Sequence, residues 1–120
     1  MSTLTVSNIK KAGETASRDI SGICGSWCNW DNNNSVNDSL NVASLLDGGT
    51  GDNTVNYSSS FANGSYANGG AAREFSSGSE AYMRLSTTHT TSATRWVCEN
   101  ESGTDIDGQM RTVSTHGDLA

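Results

Sequence analysis

Across residues 40–61 the sequence keeps a period of two on both sides of a polar break. Leu40, Val42 and, after Ser44, Leu46 share one parity, with Asn41 and Ala43 opposite. Val55, Tyr57 and Phe61 then alternate with Asn56 and Ser58, and DGGTGDN (47–53) lies between the two runs. Side chains of a strand point alternately to its two faces, so this spacing marks strands with one buried face rather than a helix. The glycines supply the left-handed backbone that a tight connection needs. The stretch is read as a β-hairpin.

Similar runs recur along the chain. Residues 2–9 (STLTVSNI) form a short extended segment, and 10–19 hold Gly13 among Ser and Thr, which disfavours a long helix. In 23–31 (ICGSWCNWD), Cys24, Ser26, Cys28 and Trp30 fall on one parity and Gly25, Trp27 and Asn29 on the other. In 81–88, Met83 and Leu85 alternate with Tyr82 and Arg84; in 94–100, Trp96 and Cys98 oppose Val97. In 108–116, Met110 goes with Thr112, and Val113 takes the other face. ANGSYANGG, SSGSE and ESGTDIDG have the composition of loops, and Asn and Asp favour turns by bonding their own backbone. Nothing resembles a crossover helix. The expected fold is all-β, a single small antiparallel β-sandwich of jelly-roll-like type. Residues 1–20 are set apart as an extended N-terminal arm, and 21–120 form the sandwich domain.

The core is thin for its length. Only 33% of residues are hydrophobic and the mean hydropathy is −0.51, and small domains already bury a modest share of their surface. Charged residues are only 17%, unlike disordered chains, which pair low hydrophobicity with high charge. A regular chain with a thin core suggests stability completed by packing against copies or a host surface. Proline, a usual guard of sheet edges, is absent, as expected of an edge paired with a neighbouring subunit. Residues 1–20 carry Lys10, Lys11 and Arg18 against Glu14 and Asp19, a net +1, within a chain of net charge −6. The acidic body repels phosphate, so no nucleic-acid partner is expected. The first residues lack the apolar stretch of a signal peptide, and no segment has spanning length, so membrane insertion is not expected and assembly is placed in a cytoplasm.

Candidate chemistry is sparse. Cys24 and Cys28 lie too far apart along a strand for a disulfide. With Cys98, His89 and His116 they lack the paired spacing of a zinc site, so buried reduced thiols are the reading. DNNN (31–34) and TDIDG (104–108) are oxygen-rich but lack the grammar of a calcium loop, and read as solvated turns. DGGTG lacks the Lys-Ser/Thr of a phosphate loop. Asn-x-Ser sequons at Asn33, Asn37, Asn56, Asn63 and Asn100 carry no weight without a secretory route. No nucleophile elbow or paired-acid motif accompanies the histidines and serines. Neither catalysis nor a cofactor is expected. Trp27, Trp30, Leu40, Val42, Val55, Tyr57, Phe61 and Trp96 are the core or interface candidates, with the tryptophans open to either role.

The segment SWCNWDN…SVNDSLNVASLLDGGTGDNTVNYSSSFANGSYA resembles one found in tail-fibre-like and other virion surface proteins of marine tailed phages, cyanobacterial phages in particular. The matching pieces are Trp27 to Trp30, Asn37 to Ser44, Asp47 to Asp52, Thr54 to Tyr57 and Ala62 to Ala67. The opening MSTLTVSNI and the closing MRTVSTHGD are similar to the ends of such proteins. Cys24 and Cys28 fall outside the pattern, as does the loop after Ala67.

The resemblance implies a virion protein: a short tail-fibre or appendage subunit, or a capsid decoration. It also implies a homotrimer, contacts with other virion proteins and contact with host surface glycans. The arm, with Leu4, Val6, Ile9, Lys10, Lys11 and Arg18, is expected to anchor on the particle. Leu40, Val42, Val55, Tyr57 and Trp96 would form the core, with the polar loops 63–80 and 99–108 facing outward and suited to weak, repeated contacts with host glycans. The alternative is a stand-alone carbohydrate-binding, lectin-like module.

Overall fold

A computed structural model of the chain describes residues 8–9, 18–19, 23–73 and 80–120. All of its regular structure is strand: β1 (Asn8–Ile9), β2 (Arg18–Asp19), β3 (Cys24–Asp31), β4 (Val36–Leu40) and β5 (Val42–Gly49) are followed by β6 (Asp52–Tyr57), β7 (Ala67–Arg73), β8 (Ala81–Thr90), β9 (Ala93–Asn100) and β10 (Met110–His116). β1 and β2 pair with each other, Ile9 opposite Arg18. The other eight form two antiparallel four-stranded sheets, β4-β3-β10-β7 and β5-β6-β9-β8. The fold is therefore the all-β sandwich that the alternation predicts. Leu4, Val6, Lys10 and Lys11 lie outside the described residues.

One residue carries the chain from the first sheet to the second. Asn41, at φ 56°, is all that separates β4 from β5. Its amide donates to the carbonyls of Gly25 and Ser59, both at 3.0 Å, and its Oδ1 accepts from the Ser59 N–H at 2.7 Å. A left-handed residue turns the backbone sharply, and Asn tolerates that conformation better than most. This corner overturns the placement of Leu40, Val42 and Leu46 on one face. Leu40 belongs to the first sheet and is 47% exposed, and Leu46 is 60% exposed on an edge strand of the second. Only Val42 and Leu45 of that run pack against the core.

The hairpin of β5 and β6 closes through Thr50 and Gly51. Gly51 has φ 71°, and a Cβ there would stand 2.6 Å from the Cys98 carbonyl oxygen, so glycine is required on both counts.

The core forms between the inward parities of both sheets: Cys28, Trp30 and Val113 from the first, Val55, Tyr57 and Trp96 from the second, with Phe61 and Tyr66 closing one end. Tyr57 and Phe61 meet edge to face with ring centroids 4.9 Å apart. Each such aromatic contributes about 3 kcal/mol on full burial, so a few large rings compensate for a low apolar fraction.

A second correction concerns residues 63–80. The glycine-rich segment contains a strand: all seven residues of β7 pair with β10, from Ala67 opposite His116 to Arg73 opposite Met110. Strand preference is poor in Ala, Asn and Gly, but a partner ladder overrides it. A Cβ on Gly70 would approach Trp96 and Met83 to 3.0 Å, so the missing side chain lets this edge strand lie close over the core. Tyr66, just before it, is buried. The remainder of that expected loop, 74–79, lies outside the described residues.

Candidate functional site

The two ends of the sandwich hold polar side chains in structural roles. At one end Arg111 is 0% exposed. Its Nη1 donates to Asn53 Oδ1 at 2.8 Å and Asp107 Oδ1 at 3.3 Å. Its Nη2 donates to the Asp31 carbonyl at 2.6 Å and Asn34 Oδ1 at 3.0 Å. Only its Nε lacks a partner among the described residues. The guanidinium lies 5.6 Å from the Trp30 ring centroid, and Trp30 Nε1 donates to Asn53 Oδ1 at 3.2 Å. A buried cation is tolerable only where acceptors surround it in this way.

The oxygen-rich loops belong to the same end. The Asp31 carboxylate accepts from the N–H groups of Asn33 and Ser35 at 2.8 and 2.9 Å, and these bonds, that of Ser35 foremost, hold its pKa below the usual range. Asn100 Oδ1 accepts from Ser102 N and Thr104 N. Both loops are turns built on their own side chains, as the sequence predicts.

At the other end, the His89 ring stacks on Tyr66 with centroids 4.3 Å apart, and its Nε2 lies 2.8 Å from the Gly64 carbonyl oxygen. A carbonyl can only accept, so Nε2 carries the proton, leaving Nδ1 to accept from Asn68 at 3.4 Å. Thr115 donates to Asn68 Oδ1 at 2.9 Å, and its oxygen lies 3.1 Å from the Tyr57 hydroxyl. Tyr57 reaches Thr94 at 2.8 Å, and Thr94 accepts from Trp96 Nε1 at 3.2 Å. The chain of contacts ties both sheets together.

The outer faces of the sheets differ in chemistry. On the second sheet, Arg95 donates to Asp52 at 2.7 Å from Nε, with a second contact through Nη2. Arg84 grips Glu99 in the same two-nitrogen manner. The arginines hold both carboxyls below the usual range. On the first sheet the row through Trp27 is neutral, while charged residues stand in the rows beside it, Asp38 in the next and Asp31 and Arg73 in the one beyond. Trp27 stands opposite Leu40 on one side and Ser114 on the other, and Ser114 in turn faces Gly69. The next row on this face runs Asp38, Asn29, Thr112 and Ala71. Because Gly69 and Ala71 project almost nothing, a groove of about 400 Å³ opens along Trp27, Thr112, Ser114 and residues 69–71.

The three tryptophans thus separate. Trp30 and Trp96 lie in the core with their indole N–H groups hydrogen-bonded. Trp27 lies half-buried on the outer face, and its indole N–H has no partner among the described residues. Of the other expected core residues, Val55, Tyr57, Phe61 and Trp96 are buried, Val42 packs at the margin and Leu40 is exposed. Thr112, Ser114 and Gly69 were not singled out by sequence. The parity of Thr112 and Ser114 was readable while Gly69 lay in an expected loop, and the place of all three beside Trp27 depends on which strands pair. Among the cysteines, Cys28 and Cys98 are buried and Cys24 is half-buried, all three as free thiols; burial pushes the Cys28 thiol up to about 11.

A third feature lies where the N-terminal segment enters the sandwich. Ile23, 52% exposed, and Leu119, 46% exposed, flank a groove of about 360 Å³ floored by Cys24, Gly25 and Gly117. Among the described residues no helix is long and apolar enough to cross a membrane. Compared with known proteins, the chain matches no family model, no curated protein and no solved structure.

Proposed function

We propose that this chain is a surface-structural subunit of a tailed-phage particle, seated through residues 1–20 and displaying the sandwich outward. The role is adhesive rather than chemical. The observation that carries it is the groove between Ile23 and Leu119, an apolar surface at the root of the N-terminal segment. A seat on another virion protein would cover it. The structural use of Arg111, Asn53, Asp31 and His89 supports the same reading, since their hydrogen bonds hold strands and turns together. The resemblance of residues 27–67 to phage surface proteins supports the location.

The homotrimer belongs to this proposal. The second sheet ends in β5 on one side and β8 on the other, and both edges carry exposed apolar side chains, Leu46 on β5 and Tyr82 and Leu85 on β8. Two different complementary edges suit a head-to-tail ring.

Quantitative mass spectrometry of purified particles tests the placement. A copy number near that of the major capsid protein assigns the chain to the head as a decoration. A far lower but fixed ratio assigns it to the tail or a vertex, and absence from particles overturns the proposal. The rival reading, a stand-alone carbohydrate-binding module, draws support from the outward-facing Trp27 and predicts a monomer indifferent to loss of residues 1–20.

A further inference from the structure

We infer that the outer face of the β4-β3-β10-β7 sheet is a binding site for neutral, hexose-based glycans, with Trp27 as the stacking platform. The inference deepens the adhesive part of the proposed role, on which it rests. It moves the contact from the loops, where the sequence suggested it, to a sheet face.

Three observations converge there. First, Trp27 is the tryptophan whose indole N–H lacks a partner among the described residues, whereas Trp30 and Trp96 are both satisfied. An indole presents a flat apolar surface and one donor. The C–H face of a pyranose ring fits the first, and a ring hydroxyl fits the second. Second, the hydroxyls of Thr112 and Ser114 line the groove beside the indole and make no hydrogen bond among the described residues. Each is one donor and two acceptors, which suits sugar hydroxyls of either sense. Asn29 adds an amide in the next row, its Oδ1 taken by Asn37 at 2.9 Å and its NH₂ left to donate outward.

Third, Gly69 clears the space: a Cβ added there would meet only Ser114 Oγ, at 3.7 Å. An extended ligand can therefore lie across β10 toward β7. Four strands span roughly 14 Å, room for a short run of pyranose units.

The alternatives fit less well. The Trp27 and Asn29 rows hold no cation and the second holds Asp38; Arg73, one row beyond Ala71, is a single positive charge in a chain of net charge −6, so a phosphate-bearing or otherwise anionic polymer is disfavoured. A protein partner or second copy would find one apolar neighbour for Trp27, Leu40, and then Ser, Gly and Ala, residue types poorly represented at interface centres.

The test is a titration of the ¹⁵N-labelled full chain, following the three indole N–H resonances, with Trp27→Phe used for assignment. The probes are cellohexaose, maltohexaose and mannohexaose. At least one should move the Trp27 resonance saturably, with Kd about 1 mM, and leave those of Trp30 and Trp96 in place. Trp27→Ala should weaken that binding at least about tenfold, with unchanged Trp30 and Trp96 resonances showing that the sandwich is intact. Ser114→Ala should weaken it by a smaller factor.

The inference fails if none of the hexaoses moves the Trp27 resonance, or if Trp27→Ala binds as well as the parent. It also fails if the resonance responds to protein concentration alone, which would make the face a contact between copies. No particle enters this experiment. Failure of the sugar titration leaves the N-terminal seat untouched, and failure to enter particles leaves the glycan site standing.

Discussion

Arg111 shows how a single charge can organise one end of a small sandwich. It is buried with Asn53, Asn34, Asp107 and the Asp31 carbonyl around it. Asn53→Ala removes the acceptor shared by Arg111 and Trp30 while the charge stays buried, and is expected to cost about 3 kcal/mol. Arg111→Met removes the charge itself, and Asp107 is open enough to be hydrated, so the cost should stay within about 1 kcal/mol. Urea unfolding checks the order; equal losses would show that packing rather than the charge sets stability here. The thiols give a second test. Burial pushes the folded Cys28 thiol up to about 11, whereas an unfolded cysteine ionises at about 8.5. The folded chain thus binds more protons in that window, and stability should fall as pH rises through it. At neutral pH an alkylating reagent should modify Cys24 first and reach Cys28 and Cys98 only in denaturant. Prompt labelling of Cys28 and Cys98 would contradict their burial. The parity of Trp30 with Cys28, and of Trp96 with Cys98, was legible in the sequence. Arg111 was not, since arginine is rarely buried and its partner Asn53 lies 58 residues away.

Among the elements, the corner at Asn41 has the largest consequences. It divides one long apolar run between two sheets, and so decides that Leu40 faces water while Val42 meets the core. Asn41→Ala loses three side-chain hydrogen bonds and keeps a left-handed backbone, which costs a non-glycine residue about 1–2 kcal/mol. Asn41→Gly loses the bonds but accommodates the backbone. Thermal melts should therefore place the parent highest, the glycine variant next and the alanine variant lowest, the two variants about 1 kcal/mol apart. An inverted rank would mean that φ is not what constrains the site. Alternation along β3 and β6 was readable because one face of each meets the core, whereas β9 buries Val97 as well as Trp96 and Cys98. β7 was not, because its Ala, Asn and Gly carry no strand signal of their own, and its conformation comes from pairing with β10.

At the scale of the molecule, surface chemistry is divided between faces. The second sheet carries arginine–carboxylate pairs, the first a neutral groove beside Trp27, and the root of the N-terminal segment an apolar groove. Such a division suits a subunit held at one end and touching something else along a side. The exposed apolar edges of β5 and β8 predict sedimentation of the purified chain at three times its monomer mass, and Leu46→Lys should shift it toward monomer. A monomeric parent would remove the ring. The seat is tested most directly by particle incorporation of the full chain against a form lacking residues 1–20. The full chain is expected to co-sediment with purified particles, while the shortened form, with unchanged sandwich indole resonances, remains in the supernatant. Equal incorporation of both forms would show that the N-terminal segment is not the anchor, and incorporation of neither would contradict a place on the particle.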